Sequence, residues 1–191
     1  MYHFAKRNFL SLWIIIWVLL IVLTVGAQEK AEFRAQEPAL ITSAGQSADV
    51  LMVKLLADKA GIHFLFDKTA SAEMVDSVQS VILVCGGSSK GLGAARIDKE
   101  DELNRVKSIL AAAKKQKKQI IAIHVGGKSR RGKLSDFFNQ PVAEAVNIMI
   151  VVKEGDHDNF FSQIAAEKKI PIRIPDKIVT VQEILKEIYG K

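Results

Sequence analysis

The chain has 191 residues, a formal net charge of +6 and 25% charged residues, an ordinary content for a folded domain. A single cysteine, Cys85, rules out an internal disulfide and a lipid-bearing cysteine at a processed N-terminus. There is no basic stripe interleaved with aromatics, so nucleic acid is not the expected partner.

The run FLSLWIIIWVLLIVLTV (residues 9–25) carries no charge and follows Lys6 and Arg7. A cationic head before an apolar run is an export signal, so the remainder is expected outside the cytoplasm, whether periplasmic, secreted or anchored at the cell membrane. Val25-Gly26-Ala27 suits cleavage before Gln28, whereas the run's length suits an uncleaved single-pass anchor; signal peptide and signal anchor both stay open for residues 1–27. If uncleaved, this segment makes the membrane a partner. Beyond it 25 cations face 21 acids, a mildly basic balance. Both tryptophans, Trp13 and Trp17, lie inside the run, and Tyr189 is the one tyrosine beyond it. A ring-stacking polysaccharide platform is therefore not expected.

Residues 28–37 (QEKAEFRAQE) read as a linker, and residues 38–191 as a single α/β domain with room for one core. Short apolar runs predict strands at ALIT (39–42), IHFLF (62–66), SVILVC (80–85), QIIAIHV (119–125), NIMIVV (147–152) and IPIRI (170–174). Helical spacing fills residues 47–59, 98–118, 133–146, 159–168 and 179–188, with Asp98 as a predicted N-cap. Lys114, Lys115, Lys117 and Lys118 then sit where cations suit a helix C-terminus. Alternation of this kind predicts a three-layer sandwich on a mostly parallel sheet of five or six strands, flavodoxin-like or Rossmann-like. The order 2-1-3-4-5 is favoured.

Ligands of such sheets bind beyond the carboxyl ends of the strands. Four turns there are rich in Gly, Ser and charge: TSAGQSAD (42–49), GGSSKGLGAARI (86–97), GGKSRRGK (126–133) and KEGDHD (153–158). The first pattern is an anion cradle, with Ser43, Gly45, Gln46 and Ser47 as donors at a helix start; the competing reading is plain capping by Ser43 with Gln46, or by Ser47. GGSSKGLG resembles the glycine-rich dinucleotide loop of short-chain dehydrogenases. It follows the third strand rather than the first, no Tyr-x-x-x-Lys accompanies it, and the next helix is expected only at Asp98. What survives is a flexible twelve-residue loop in which Gly86, Gly87, Ser88, Ser89 and Lys90 close over a ligand. Gly126, Gly127, Lys128, Arg130 and Arg131 bring amides and guanidinium forks suited to carboxylate or phosphate.

Cys85 and His124 end neighbouring strands and suggest a nucleophile with its base. Aligning the two Gly-Gly pairs, however, sets Cys85 level with Val125 and turns His124 to the opposite face, which predicts an inert buried thiol. Glu154, Asp156, His157 and Asp158 read as a polar turn rather than a metal site. The strings LITSAGQSADVLMVKLL, VILVCGGSSKGLGAARID, IHVGGKSRRGKLSD and IMIVVKEGDHD together look like an uncharacterised family of exported bacterial domains, known as a domain of unknown function. That resemblance implies a bacterial α/β domain behind a signal or anchor, and no activity. The expected function is capture of a small anionic ligand at the strand ends. A hydrolase using Cys85 or a rim serine, and an envelope-tethered protein-interaction domain, are the alternatives. No cofactor is assigned.

Overall fold

The computed structural model describes residues 33–191; the leader and the first half of the linker, residues 28–32, lie outside the described residues. Six strands follow from the apolar runs: β1 (Ala39–Ala44), β2 (Phe64–Phe66), β3 (Ser80–Cys85), β4 (Gln119–His124), β5 (Ile148–Val151) and β6 (Ile172–Arg173). All pair in parallel, in the order β2-β1-β3-β4-β5-β6. The favoured order holds for its first five strands, and the sixth extends that edge.

Helices connect the strands: α1 (Asp49–Lys59), α2 (Ser89–Ala95), α3 (Lys99–Lys115), α4 (Lys133–Ala143), α5 (Phe160–Lys168) and α6 (Thr180–Tyr189). Asp98 caps α3, its carboxylate accepting from the Asp101 amide at 2.7 Å. Acids fill the first turn of that helix and Lys114 and Lys115 its last, which matches its dipole at both ends.

Side chains alternate between the two faces. Leu40, Val81, Leu83, Cys85, Ala122 and Met149 pack with Val106, Ile109, Val142 and Phe161 of α3, α4 and α5. On the other face Ile41, Ile82, Ile121 and Ile123 are buried along with Val50 and Val53 of α1 and Val181 and Leu185 of α6. Each fully buried side chain of this size contributes about 1.5–3 kcal/mol, so both layers are held mainly by apolar burial. Residues 34–191 form one unit. Among the described residues no helix is long and apolar enough to cross a membrane.

The segment 86–97 departs from expectation. It is not a flexible loop, because α2 starts directly after the β3 turn, with the Ser88 hydroxyl accepting from the Gly91 amide at 3.1 Å. The helix stops at Arg96, which is left-handed (φ 56°). Two glycines within seven residues hide it from a propensity argument. Gly91 is there for packing: a Cβ on it would lie 1.8 Å from the Gln46 carbonyl oxygen.

Register corrects a second expectation. Val84 is level with Ile123, which sets Cys85 beside His124, not Val125, on the same face. The two Gly-Gly pairs do not mark one sheet level, because Gly86 follows β3 directly whereas Val125 stands between β4 and Gly126.

Candidate functional site

The turn after β1 is a cradle for a carboxylate, and the chain fills it itself. Glu102, on the first turn of α3, is fully buried. Its Oε1 accepts from the Gly45 amide at 2.9 Å, and both oxygens accept from Gln46 Nε2 at 3.2 Å. Arg105 clamps the same carboxylate through Nε and Nη2, each at 2.8 Å. It reaches on to the carbonyls of Ala70 (2.8 Å) and Ser43 (2.5 Å). Gly45 and Gln46 are therefore engaged internally and cannot serve a second anion. Ser47 accepts from the Asp49 amide at 3.2 Å, which starts α1. The Ser43 hydroxyl is buried and unpartnered.

The second turn packs against the first. Gly86 donates to the Ala44 carbonyl (3.1 Å) and Ser88 to that of Gly45 (2.9 Å). The Gly87 amide donates to Ser135 Oγ at 3.1 Å. Gly86, Gly87 and Ser88 thus join two turns rather than closing over a space between them; Ser89 and Lys90 are exposed.

The third turn joins through Asp49, whose Oδ2 lies 3.5 Å from Arg130 Nε. A side chain on Gly126 would meet that oxygen at 2.4 Å. Lys128 is exposed. Arg131, expected to supply charge to a ligand, is 4% exposed and bound to its own chain. It holds Asp136 at 2.8 Å, Asp158 at 2.9 Å and the Gly155 carbonyl at 2.5 Å, and lies over the ring of Phe160. Burial alone would lower its pKa, but the hydrogen bonds to Asp136 and Asp158 raise it, and Arg131 in turn draws the Asp158 carboxyl down. In the fourth turn Asp156 caps α5, accepting from the Phe161 amide at 2.7 Å. Among the described residues no group of three or more His, Cys, Asp or Glu is placed to hold a metal ion.

The turns therefore meet on one edge, as the sequence led us to expect, but the open space lies further along it. A hollow of about 370 Å³ is lined by Val125, Gly126, Gly127, Val152, Glu154, Asp176, Lys177 and Ile178. Only Gly126 and Gly127 come from the predicted set. The segment Pro175-Asp176-Lys177 follows β6, whose charged turn was not among the four read from the sequence. That turn carries charge at Asp176 and Lys177 but no glycine or serine, so it lacked the pattern that marked the other four.

His124 lies beneath this hollow. Its Nδ1 faces the Cys85 carbonyl at 3.1 Å and its Nε2 the Gly127 carbonyl at 3.3 Å. Its ring packs on Phe161 at 5.2 Å. Burial lowers its pKa, against the pull of those two carbonyls. Burial also pushes the Cys85 thiol up to about 12, so at neutral pH it is protonated and a poor nucleophile. The histidine turns both nitrogens to carbonyl oxygens rather than to sulfur. Among the described residues no serine or cysteine is hydrogen-bonded to a histidine.

A family described as Domain of unknown function (DUF6305) matches residues 36–189. The chain belongs to this family. The match spans all six strands of the DUF6305 sheet and all of the turns above. No curated protein matches it in sequence. Among solved structures it is similar to the psychrotrophic esterase EstA from Pseudoalteromonas sp., at 9% identity and a TM-score of 0.33, over 79% of this chain and 93% of that one. A GDSL-like lipase from Bacteroides thetaiotaomicron gives 12% identity and a TM-score of 0.33, over 78% of this chain and 72% of that one. AlinE4, a SGNH-hydrolase family esterase, gives 9% identity and a TM-score of 0.30, over 75% of this chain and 77% of that one. Likeness at this distance brings no chemistry to the DUF6305 chain.

Proposed function

We propose that this protein is an extracytoplasmic small-ligand-binding domain that holds an anionic group of its ligand in the hollow beyond β4, β5 and β6. The observation that carries the reading is Lys177, a residue lining that hollow whose side chain has no carboxylate partner among the described residues. Val125, Val152 and Ile178 give it apolar walls, and Gly126 and Gly127 bring bare backbone to its floor. Its volume of about 370 Å³ falls within the roughly 300–1,000 Å³ of ligand sites. The carboxyl edge of a parallel sheet is also where such sites form. The Phe9 to Val25 run supports delivery across the membrane.

Isothermal titration calorimetry of the full chain in detergent tests the reading with inorganic phosphate, acetate and 4-methylpentanoate. At least one anion is expected to bind, and Lys177→Met is expected to weaken it tenfold or more, about 1.4 kcal/mol. Affinity unchanged in Lys177→Met, with folding intact, removes the assignment.

A further inference from the structure

Lys177 is not the only unmet charge in the hollow. Glu154 lines the same space and has no side-chain partner among the described residues. The third charge, Asp176, is answered by Lys153 at 3.0 Å. Lys177 and Glu154 thus share a cavity without pairing with each other. A side chain on Gly127 would come within 3.1 Å of Glu154 Oε2, so the glycine keeps the approach to that carboxylate clear. The Gly127 carbonyl faces His124 Nε2 at 3.3 Å, which ties this part of the lining to the end of β4.

From this arrangement we infer that the ligand is amphoteric: a small molecule carrying an ammonium as well as a carboxylate, with an apolar side chain, of the size of a free amino acid or a dipeptide. The inference rests on the binding reading above and narrows it. A plain dianion such as phosphate gains Lys177 but faces Glu154 and Asp176, and like charges at close range disfavour it. A plain amine gains Glu154 but faces Lys177. A zwitterion answers both with opposite ends, while Val125, Val152 and Ile178 take its hydrocarbon part. The recognition would be of two opposite charges beside apolar walls, an arrangement that holds either half-ligand more weakly than the whole.

The test uses three matched probes of one carbon skeleton, titrated into the full chain by calorimetry: leucine, 4-methylpentanoate lacking the amine, and 3-methylbutylamine lacking the carboxylate. Leucine is expected to bind at least tenfold more tightly than either of the others. Glu154→Gln should erase the advantage over 4-methylpentanoate, and Lys177→Met the advantage over 3-methylbutylamine. Both side chains are on the surface, and an unchanged melting temperature verifies that each variant is folded. If 4-methylpentanoate matches leucine and Glu154→Gln changes nothing, the amphoteric ligand is wrong while the anion site stands. If only the amine binds, or none of the probes does, both readings fall together.

Discussion

Arg131 illustrates how far a side chain's surroundings can redirect its chemistry. In the string GGKSRRGK it is indistinguishable from Arg130, yet one is tied to two aspartates and a ring and the other stays half-exposed. Removing a nearly buried guanidinium leaves Asp136, Asp158 and the Gly155 carbonyl without their partner, so Arg131→Ala should cost about 3 kcal/mol. Urea titration would measure that loss, and Arg130→Ala should stay within about 0.5 kcal/mol. Cys85 should resist iodoacetamide at neutral pH and become alkylated once the fold is opened with guanidinium, as mass spectrometry would record. His124 gives a pH dependence whose sign follows from its lowered pKa. The unfolded chain takes up the proton first, near the ordinary value of about 6.5, so the stabilisation is complete above that pH. It is lost as pH falls from there through the folded value. Melting temperatures measured between about pH 7.5 and 5 should therefore decline, and His124→Asn should flatten that decline.

At the scale of elements, α2 turns on a contrast between its two glycines. Gly91 lies against the Gln46 carbonyl, whereas nothing stands within 4 Å of a Cβ built on Gly93. Gly91→Ala should lose about 2–4 kcal/mol by forcing two rim turns apart. Gly93→Ala should gain about 0.5–1 kcal/mol from helix propensity. Chemical denaturation of the pair would decide it: equal effects would mean that α2 does not dock on the first turn. The strands were legible in the sequence because parallel, doubly covered strands are apolar throughout, and SVILVC is β3 to the residue. Helix α3 was legible from Asp98 and its terminal lysines. What escaped had a long-range cause in each case. Glu102 looks like one more acid in a helix start, and only the fold delivers it to the Gly45 amide, 57 residues away in sequence. The identity of the anion in the first cradle could not be read locally. The hollow escaped because it is built from the ends of three strands, one of them only two residues long.

For the whole molecule, the C-terminal helix ties the two ends of the described chain together. Val181, Leu185 and Ile188 of α6 are buried, and the Tyr189 hydroxyl meets Ser80 Oγ at 2.8 Å. The Ala35 amide donates to the Ile188 carbonyl at 3.0 Å. Ending the chain at residue 178 should uncover the part of one sheet face that α6 covers and abolish the cooperative thermal transition followed by circular dichroism. If α6 were dispensable, the transition would persist within a few degrees. The two flanks of the sheet carry a different consequence. β2 has three residues and β6 two; Lys68 stands just past β2, and Arg173 lies within β6. Borders this brief give a neighbouring polypeptide little to zip onto. Concentrated solutions should consequently stay free of fibrils and of strand-mediated dimers, a useful trait for a domain proposed to work beyond the reach of cytoplasmic chaperones.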